Sequence, residues 1–219
     1  MSGVIFDLDG TLIDSAPDIH RCAALMLADE GLDPLTLPQI RSFIGNGAPV
    51  LVRRVMAAVA LPDDPALHAR LLARFLEHYE TAVTLTRLYD GVAACLEDLA
   101  AAGRPVGLCT NKPIGPTRAV LAHFGLAQHF PTVIGGDSLP QRKPDPAPLL
   151  ACLREMGCGK AVFVGDSEVD AECAARAGMD FALFTEGYRK APVDTLPHAF
   201  AFSHHGELEG WLREYTFIS

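Results

Sequence analysis

The amino-acid sequence predicts an α/β protein: a parallel sheet covered by helices on both faces, with an all-helical unit inserted near its start. Three observations predict it. From Asp90 onward short apolar runs alternate with amphipathic stretches, the pattern of strands and crossover helices. A further apolar run, Val4-Ile5-Phe6, stands apart at the start of the chain. Between Ser15 and about Arg87 the sequence shows helical periodicity and no convincing strand. The predicted division is therefore residues 1–14 with 88–219 for the sheet unit and 15–87 for the helical unit.

After the first run, strands are expected at Pro105 to Thr110, Thr132 to Gly135, Ala161 to Gly165 and Phe181 to Phe184, with Ala199 to Phe202 as a weaker one. Helices are expected between them, their apolar stripes recurring every three or four residues. Val92, Cys95, Leu96 and Leu99 form one stripe; Val120, Leu121 and Phe124 another; Leu149, Leu150, Leu153 and Met156 a third. Gly103, Gly125 and Gly157 follow these helices as C-terminal caps. In the insert, Ser15-Ala16-Pro17-Asp18 reads as a capping box ahead of Ile19, Cys22 and Met26. Stripes at Leu51, Val55, Val59 and at Leu67, Leu71, Phe75 predict a small bundle with its own core, able to close over its neighbour as a lid.

Composition narrows the function. With 219 residues, 49% of them hydrophobic, the chain is long enough to bury a substantial core. A net charge of -9 and the lack of a basic stretch argue against nucleic acid and anionic membranes as partners. No apolar segment approaches the ~20 residues of a membrane span, and a strand beginning almost at Met1 leaves no room for a signal peptide, so a cytoplasmic location is expected. The six cysteines form no C-x-x-C pair and read as buried thiols. His204 and His205 read as surface residues.

The chemistry is expected where strands end, because open α/β sheets bind ligands at the carboxyl edge. There the first run meets Asp7-Leu8-Asp9-Gly10-Thr11, two carboxylates two positions apart, facing one side if the strand persists through Asp9. At ~4 Å and an effective dielectric near 20, such a pair repels by about 4 kcal/mol, which calls for a cation nearby. Thr110, Asn111 and Lys112 follow the second strand and offer a hydroxyl, an amide and backbone donors. Lys143 lies in the Pro-stiffened loop after the third, although loop lysines are ordinarily solvated. Asp166 ends the fourth, and Asp170 completes either a helix-capping box with Ser167 or a second acid pair. Asp7, Asp9 and Asp166, three crowded carboxylates without His or Cys, suggest Mg2+.

In order, Asp7-x-Asp9-Gly10-Thr11, Thr110-Asn111, Lys143-Pro144 and Gly165-Asp166-x-x-x-Asp170 resemble the four signatures of the haloacid dehalogenase superfamily. The match spans essentially the whole chain, and the insert resembles that family's C1 cap. The resemblance implies a Rossmann-like doubly wound core and catalysis through an aspartyl-phosphate. It implies Asp7 as nucleophile, Asp9 as general acid and base, and Mg2+ held by Asp7, the main-chain carbonyl of Asp9 and Asp166. Thr110, the backbone of Asn111 and Lys143 would surround the phosphoryl group, with Asp170 ordering Lys143 or a metal-bound water. An acid at position 9 matches the superfamily's phosphatases, since its dehalogenases lack one there. Ile44-Gly45-Asn46-Gly47-Ala48 resembles a cap loop of phosphatases that act on a small phosphorylated metabolite, making Gly45, Asn46 and Gly47 candidate substrate-loop residues. For a substrate carboxylate, Arg53, Arg54 and Lys112 are equal candidates. A phosphomutase using the same acid pair, and a receiver-like phosphoacceptor, are the alternatives. A monomer or weak homodimer is expected.

Overall fold

The computed structural model describes residues 2–215. Among them, six strands form one parallel sheet in the order β5-β4-β1-β6-β7-β8. The strands are β1 (Gly3–Phe6), β4 (Val106–Cys109), β5 (Thr132–Ile134), β6 (Ala161–Gly165), β7 (Asp180–Phe184) and β8 (Phe200–Phe202). All of the expected strands form, within a residue or so of the predicted limits. β1 is central, pairing Val4 with Val106 on one side and with Val162 on the other. Its position brings a chain start into the middle of the sheet, so the residues that follow Phe6 emerge among the ends of β4 and β6.

Side chains alternate across the sheet with the period of two that strands impose. Val4, Phe6, Val162, Val164 and Phe184 enter one core with α5 (Val92–Ala101), α6 (Ile114–His123) and α9 (Gly206–Glu214). Ile5, Phe163, Phe181 and Leu183 enter the other with α7 (Ala147–Glu155) and α8 (Glu168–Ala177). The doubly wound arrangement follows from this two-sided burial. Gly103, Gly125 and Gly157 all adopt the left-handed conformation that ends a helix. The α7 stripe is narrower than expected: Leu149 and Cys152 are buried, whereas Leu150 points to solvent.

Between β2 (Ile13–Asp14) and β3 (Arg87–Leu88), a short antiparallel pair that hydrophobic patterning does not reveal, lie α1 (Ala16–Ala28), α2 (Leu37–Phe43), α3 (Ala48–Ala58) and α4 (Pro65–Tyr79). These helices bury Ile19, Met26, Val52, Val55, Leu71 and Phe75 in a cluster separate from the two sheet cores.

Three local expectations are corrected. Ser15 makes no cap on α1; its hydroxyl turns instead to Asp9, and Asp18 accepts from the Leu85 and Thr86 amides and the Thr86 hydroxyl at 2.7 to 2.9 Å. Asp18 thereby ties the exit of the helical insert to its entry. His205 is fully buried, packed on the rings of Phe184 and Phe202, and burial pulls its pKa down to about 4; His204 alone is at the surface. The third concerns Asp9: β1 ends at Phe6, and Asp9 makes only an isolated bridge to Ile13, so the acid pair belongs to a turn and not to a continuing strand. Five of the six cysteines are buried and all are free thiols.

Asp18→Ala leaves two backbone amides and a hydroxyl without an acceptor in a buried site. A loss of about 2–3 kcal/mol is expected, the range for charge-assisted hydrogen bonds with an orphaned partner, measured as a lowered urea midpoint at unchanged m-value.

Candidate active site

The site forms where β1, β4, β5 and β6 end. Asp7 directly follows β1, its amide donating to Val164 O at 2.9 Å. Two residues on, Gly10 takes φ +92°, and a Cβ there would lie 2.5 Å from the Asp166 carboxylate. Glycine is thus required twice at this turn, for the left-handed backbone and for the close approach. Thr11 then donates its hydroxyl to Asp166 Oδ1 at 2.9 Å, and the Tyr188 amide donates to Oδ2 at 2.5 Å.

Lys143, expected to be solvated on residue type alone, is buried with only 3% of its surface exposed. Its Nζ lies 2.8 Å from Asp7 Oδ1 and 2.7 Å from Asp170 Oδ1, 5.1 Å from the centre of the Phe163 ring. Burial alone favours the neutral amine, but Asp170 and Asp7 outweigh it and hold the pKa above the ordinary lysine value, so the ammonium persists. Asp170 serves both of the roles foreseen for it: Oδ2 accepts from the Ser167 amide at 3.1 Å and hydroxyl at 2.6 Å, closing the α8 capping box, while Oδ1 holds Lys143.

Oxygens of Asp7, Asp166 and Asp170 all lie within 4.8 Å of one another, every one of the three buried. One ammonium does not neutralise three carboxylates. Burial, opposed by Lys143 and reinforced by Asp170, pushes the Asp7 carboxyl up to about 6; burial, Asp170 and Asp7 push Asp166 well above the usual carboxylate range. Asp7 Oδ1 makes no well-directed hydrogen bond despite its contact with Lys143. An all-oxygen cluster with an excess of negative charge and with Asp7 Oδ1 left without a hydrogen bond fits a hard divalent cation.

Asp9 stands outside this cluster. Its Oδ1 accepts from the Ser15 hydroxyl at 2.5 Å and from Lys112 Nζ at 3.2 Å. Thr110 closes β4 with its amide on Ile134 O, and its hydroxyl accepts from the Lys112 amide at 3.2 Å. The Asn111 side chain is a clamp that sequence reasoning missed: Oδ1 accepts from the Lys143 amide, and Nδ2 donates to the carbonyls of Lys143 and Gly45. One amide therefore fixes the lysine loop and touches the helical insert. Gly45 and Gly47, at φ +121° and +83°, border the cleft, whereas Asn46 turns its side chain to Arg54 at 2.9 Å.

Two tyrosines were also missed. Tyr188 Oη accepts from the Ser15 and Ala16 amides and donates to Asp14 at 2.7 Å, binding the start of the insert to the loop that holds Asp166. Tyr79, buried at the end of α4, accepts from Lys112 Nζ. Its place four residues beyond Phe75 was readable as a continued stripe; nothing local marks Tyr188. A narrow cleft of about 40 Å3 opens between these groups and the insert.

A doubly wound sheet that gathers buried acids and two buried lysines at its carboxyl edge, beneath a helical insert, has the architecture of an enzyme. The chain belongs to the haloacid dehalogenase-like hydrolases, whose family model matches residues 4–184. It is 55% identical over 214 residues to a protein of Cereibacter sphaeroides named phosphoglycolate phosphatase, covering 97% of this chain and 98% of that one. A protein of the same name from Rhodospirillum rubrum is 43% identical, covering 95% and 90%. Among solved structures, that of a predicted phosphoglycolate phosphatase from Haemophilus somnus superimposes with a TM-score of 0.90 at 30% identity, covering 97% and 98%. No helix among the described residues is long and apolar enough to cross a membrane.

The raised pKa of Asp7 has a definite sign. Its proton is held more tightly in the folded state, so its stabilising contribution is complete below 3.8 and is lost as pH rises through about 6. Without divalent cations, Asp7→Asn should gain on the wild type by roughly 3 kcal/mol between pH 3.5 and pH 7, read from urea midpoints of the two proteins at each pH.

Proposed function

We propose that this chain is a Mg2+-dependent phosphomonoesterase that acts through a phosphoryl group carried on Asp7, with 2-phosphoglycolate as its substrate. The observation that carries the reading is the buried cluster of Asp7, Asp166 and Asp170 around Lys143, with Asp9 two residues beyond the nucleophile. The names of the 55% and 43% identical relatives support the substrate.

Mg2+ would be held by Asp7, the main-chain carbonyl of Asp9 and Asp166, and when bound it would neutralise phosphate charge. Asp7 attacks phosphorus in line, with Lys143 compensating the charge that gathers on the phosphoryl oxygens. The Thr110 hydroxyl and the main-chain N–H of Asn111 offer further donors to those oxygens. Asp9 protonates the departing ester oxygen and later takes a proton from the water that hydrolyses the acyl phosphate. The Ser15 hydroxyl fixes its carboxylate. Asp170 positions Lys143 and touches no substrate; both of its oxygens are already bonded. We also propose that residues 15–87 act as a cap whose loop faces the leaving group through Gly45 and Gly47, with Asn46 bracing that loop through Arg54, and whose closure excludes water.

Purified protein with Mg2+ should release phosphate from 2-phosphoglycolate faster than from sugar phosphates or nucleoside monophosphates. Asp7→Asn should abolish turnover, and Asp9→Asn should lower kcat by ~10²- to 10⁴-fold, the usual worth of general acid–base help. Full activity in Asp7→Asn, or isomerisation of a sugar phosphate outpacing phosphate release, would sink the reading. Chelation of the divalent cation should abolish activity and be reversed by Mg2+.

A further inference from the structure

The sequence leaves Arg53, Arg54 and Lys112 as equal candidates to meet a charge on the substrate, and the structure separates them. Arg53 is on the surface, 3.6 Å from exposed Asp63. Arg54 donates to Phe43 O and Asn46 Oδ1. Lys112 is buried, and among the described residues that line the cleft it is the single cation.

Its surroundings are specific. Nζ donates to Asp9 Oδ1 at 3.2 Å and to Tyr79 Oη, and sits 4.0 Å from the centre of the Tyr79 ring. An ammonium has three donors, so one remains for a ligand. Tyr79 Oη is the acceptor of its bond with Lys112, which leaves the phenolic O–H as a second donor at the same place. Burial raises the Tyr79 pKa well above its ordinary value, keeping that proton in place. The neighbouring walls, Ile19, Ile44, Leu51 and Phe75, are hydrocarbon and offer hydroxyl groups no partner.

We propose that Lys112, oriented by Tyr79, reads a carboxylate on the leaving group, so that the site selects phosphomonoesters of short hydroxy acids over those of neutral alcohols and polyols. The inference rests on the phosphomonoesterase reading, in which Asp9 meets the ester oxygen. A donor 3.2 Å from Asp9 then lies where a carboxylate one carbon beyond that oxygen would fall. Longer acids place their charge too far along the cleft. Polyols bring hydroxyls that the apolar walls leave unpaired, at about 1–3 kcal/mol each.

The test compares kcat and KM for 2-phosphoglycolate and for 2-hydroxyethyl phosphate, an ester of equal length with a neutral end, in the wild type, Lys112→Met, Lys112→Arg and Tyr79→Phe. The wild type should prefer the acid. Lys112→Met should raise KM for 2-phosphoglycolate about 10- to 100-fold, the loss of a charge-assisted hydrogen bond, and bring the ratio of kcat/KM for the two esters toward one. Lys112→Arg should restore part of the preference, and Tyr79→Phe should weaken it in the same direction. Thermal melts identify variants that do not fold; should Lys112→Met be one, Lys112→Arg and Tyr79→Phe carry the comparison. Equal wild-type activity on both esters would overturn the proposal and leave the phosphomonoesterase standing. So would a Lys112→Met enzyme that loses kcat by one factor on both esters at unchanged KM, which would assign Lys112 to Asp9 alone. Failure of the wild type to hydrolyse either ester would overturn the phosphomonoesterase reading as well.

Discussion

The ion triad of Lys143 with Asp7 and Asp170 is the contact on which the rest of this molecule depends. Buried carboxylates within 4.8 Å of one another repel strongly where water cannot screen them, and a single ammonium at 2.7 and 2.8 Å is what the chain itself supplies to offset this. Much of the local architecture serves to keep that ammonium in place. Asn111 bonds both the amide and the carbonyl of Lys143, the α8 capping box fixes Asp170, and Phe163 lies beneath Nζ. The supports come from β4 and β6 and act on the loop after β5, so these strands must be assembled before the charges can be held together.

The remaining imbalance is informative. Thr11 and Tyr188 donate to Asp166, yet burial and its acidic neighbours still raise its pKa, and Asp7 behaves alike. A fold that retains such an excess of buried acid carries strain that a divalent cation would relieve. Asp9, by contrast, faces the cleft and leans on Ser15 and Lys112, outside the cluster. Two carboxylates two positions apart thus occupy different electrostatic surroundings, because the chain turns at Gly10 and does not run on as a strand.

What the sequence makes legible is what periodicity and strand ends encode. The apolar runs locate the six strands of the sheet, and the polar residues after them, Asp7, Thr110, Lys143 and Asp166, are the groups that the structure brings together. Features made by distant elements are not legible. His205 is buried because β7 and β8 each bring a phenylalanine against it, while its own neighbours are polar. Ser15 and Asp18 have the spacing of a capping box, but stronger partners, Asp9 and the backbone of Leu85 and Thr86, lie across the tertiary structure. Tyr188 reaches residues 14 to 16 from more than 170 positions away.

The β2–β3 pair has a consequence for how such a molecule can be altered. Asp14 and Arg87 are register partners, so the chain enters and leaves the helical insert at nearly the same point. The helices between them fill a core that shares no buried side chain with the sheet cores. An insertion with adjoining ends and independent packing imposes little on the strands that flank it. Its length and sequence can drift, or be exchanged by recombination, while the polar groups at the strand ends keep their spacing. Such an exchange would have to keep Ser15, Gly45 and Tyr79, which meet Asp9, Asn111 and Lys112 across the boundary between the two units.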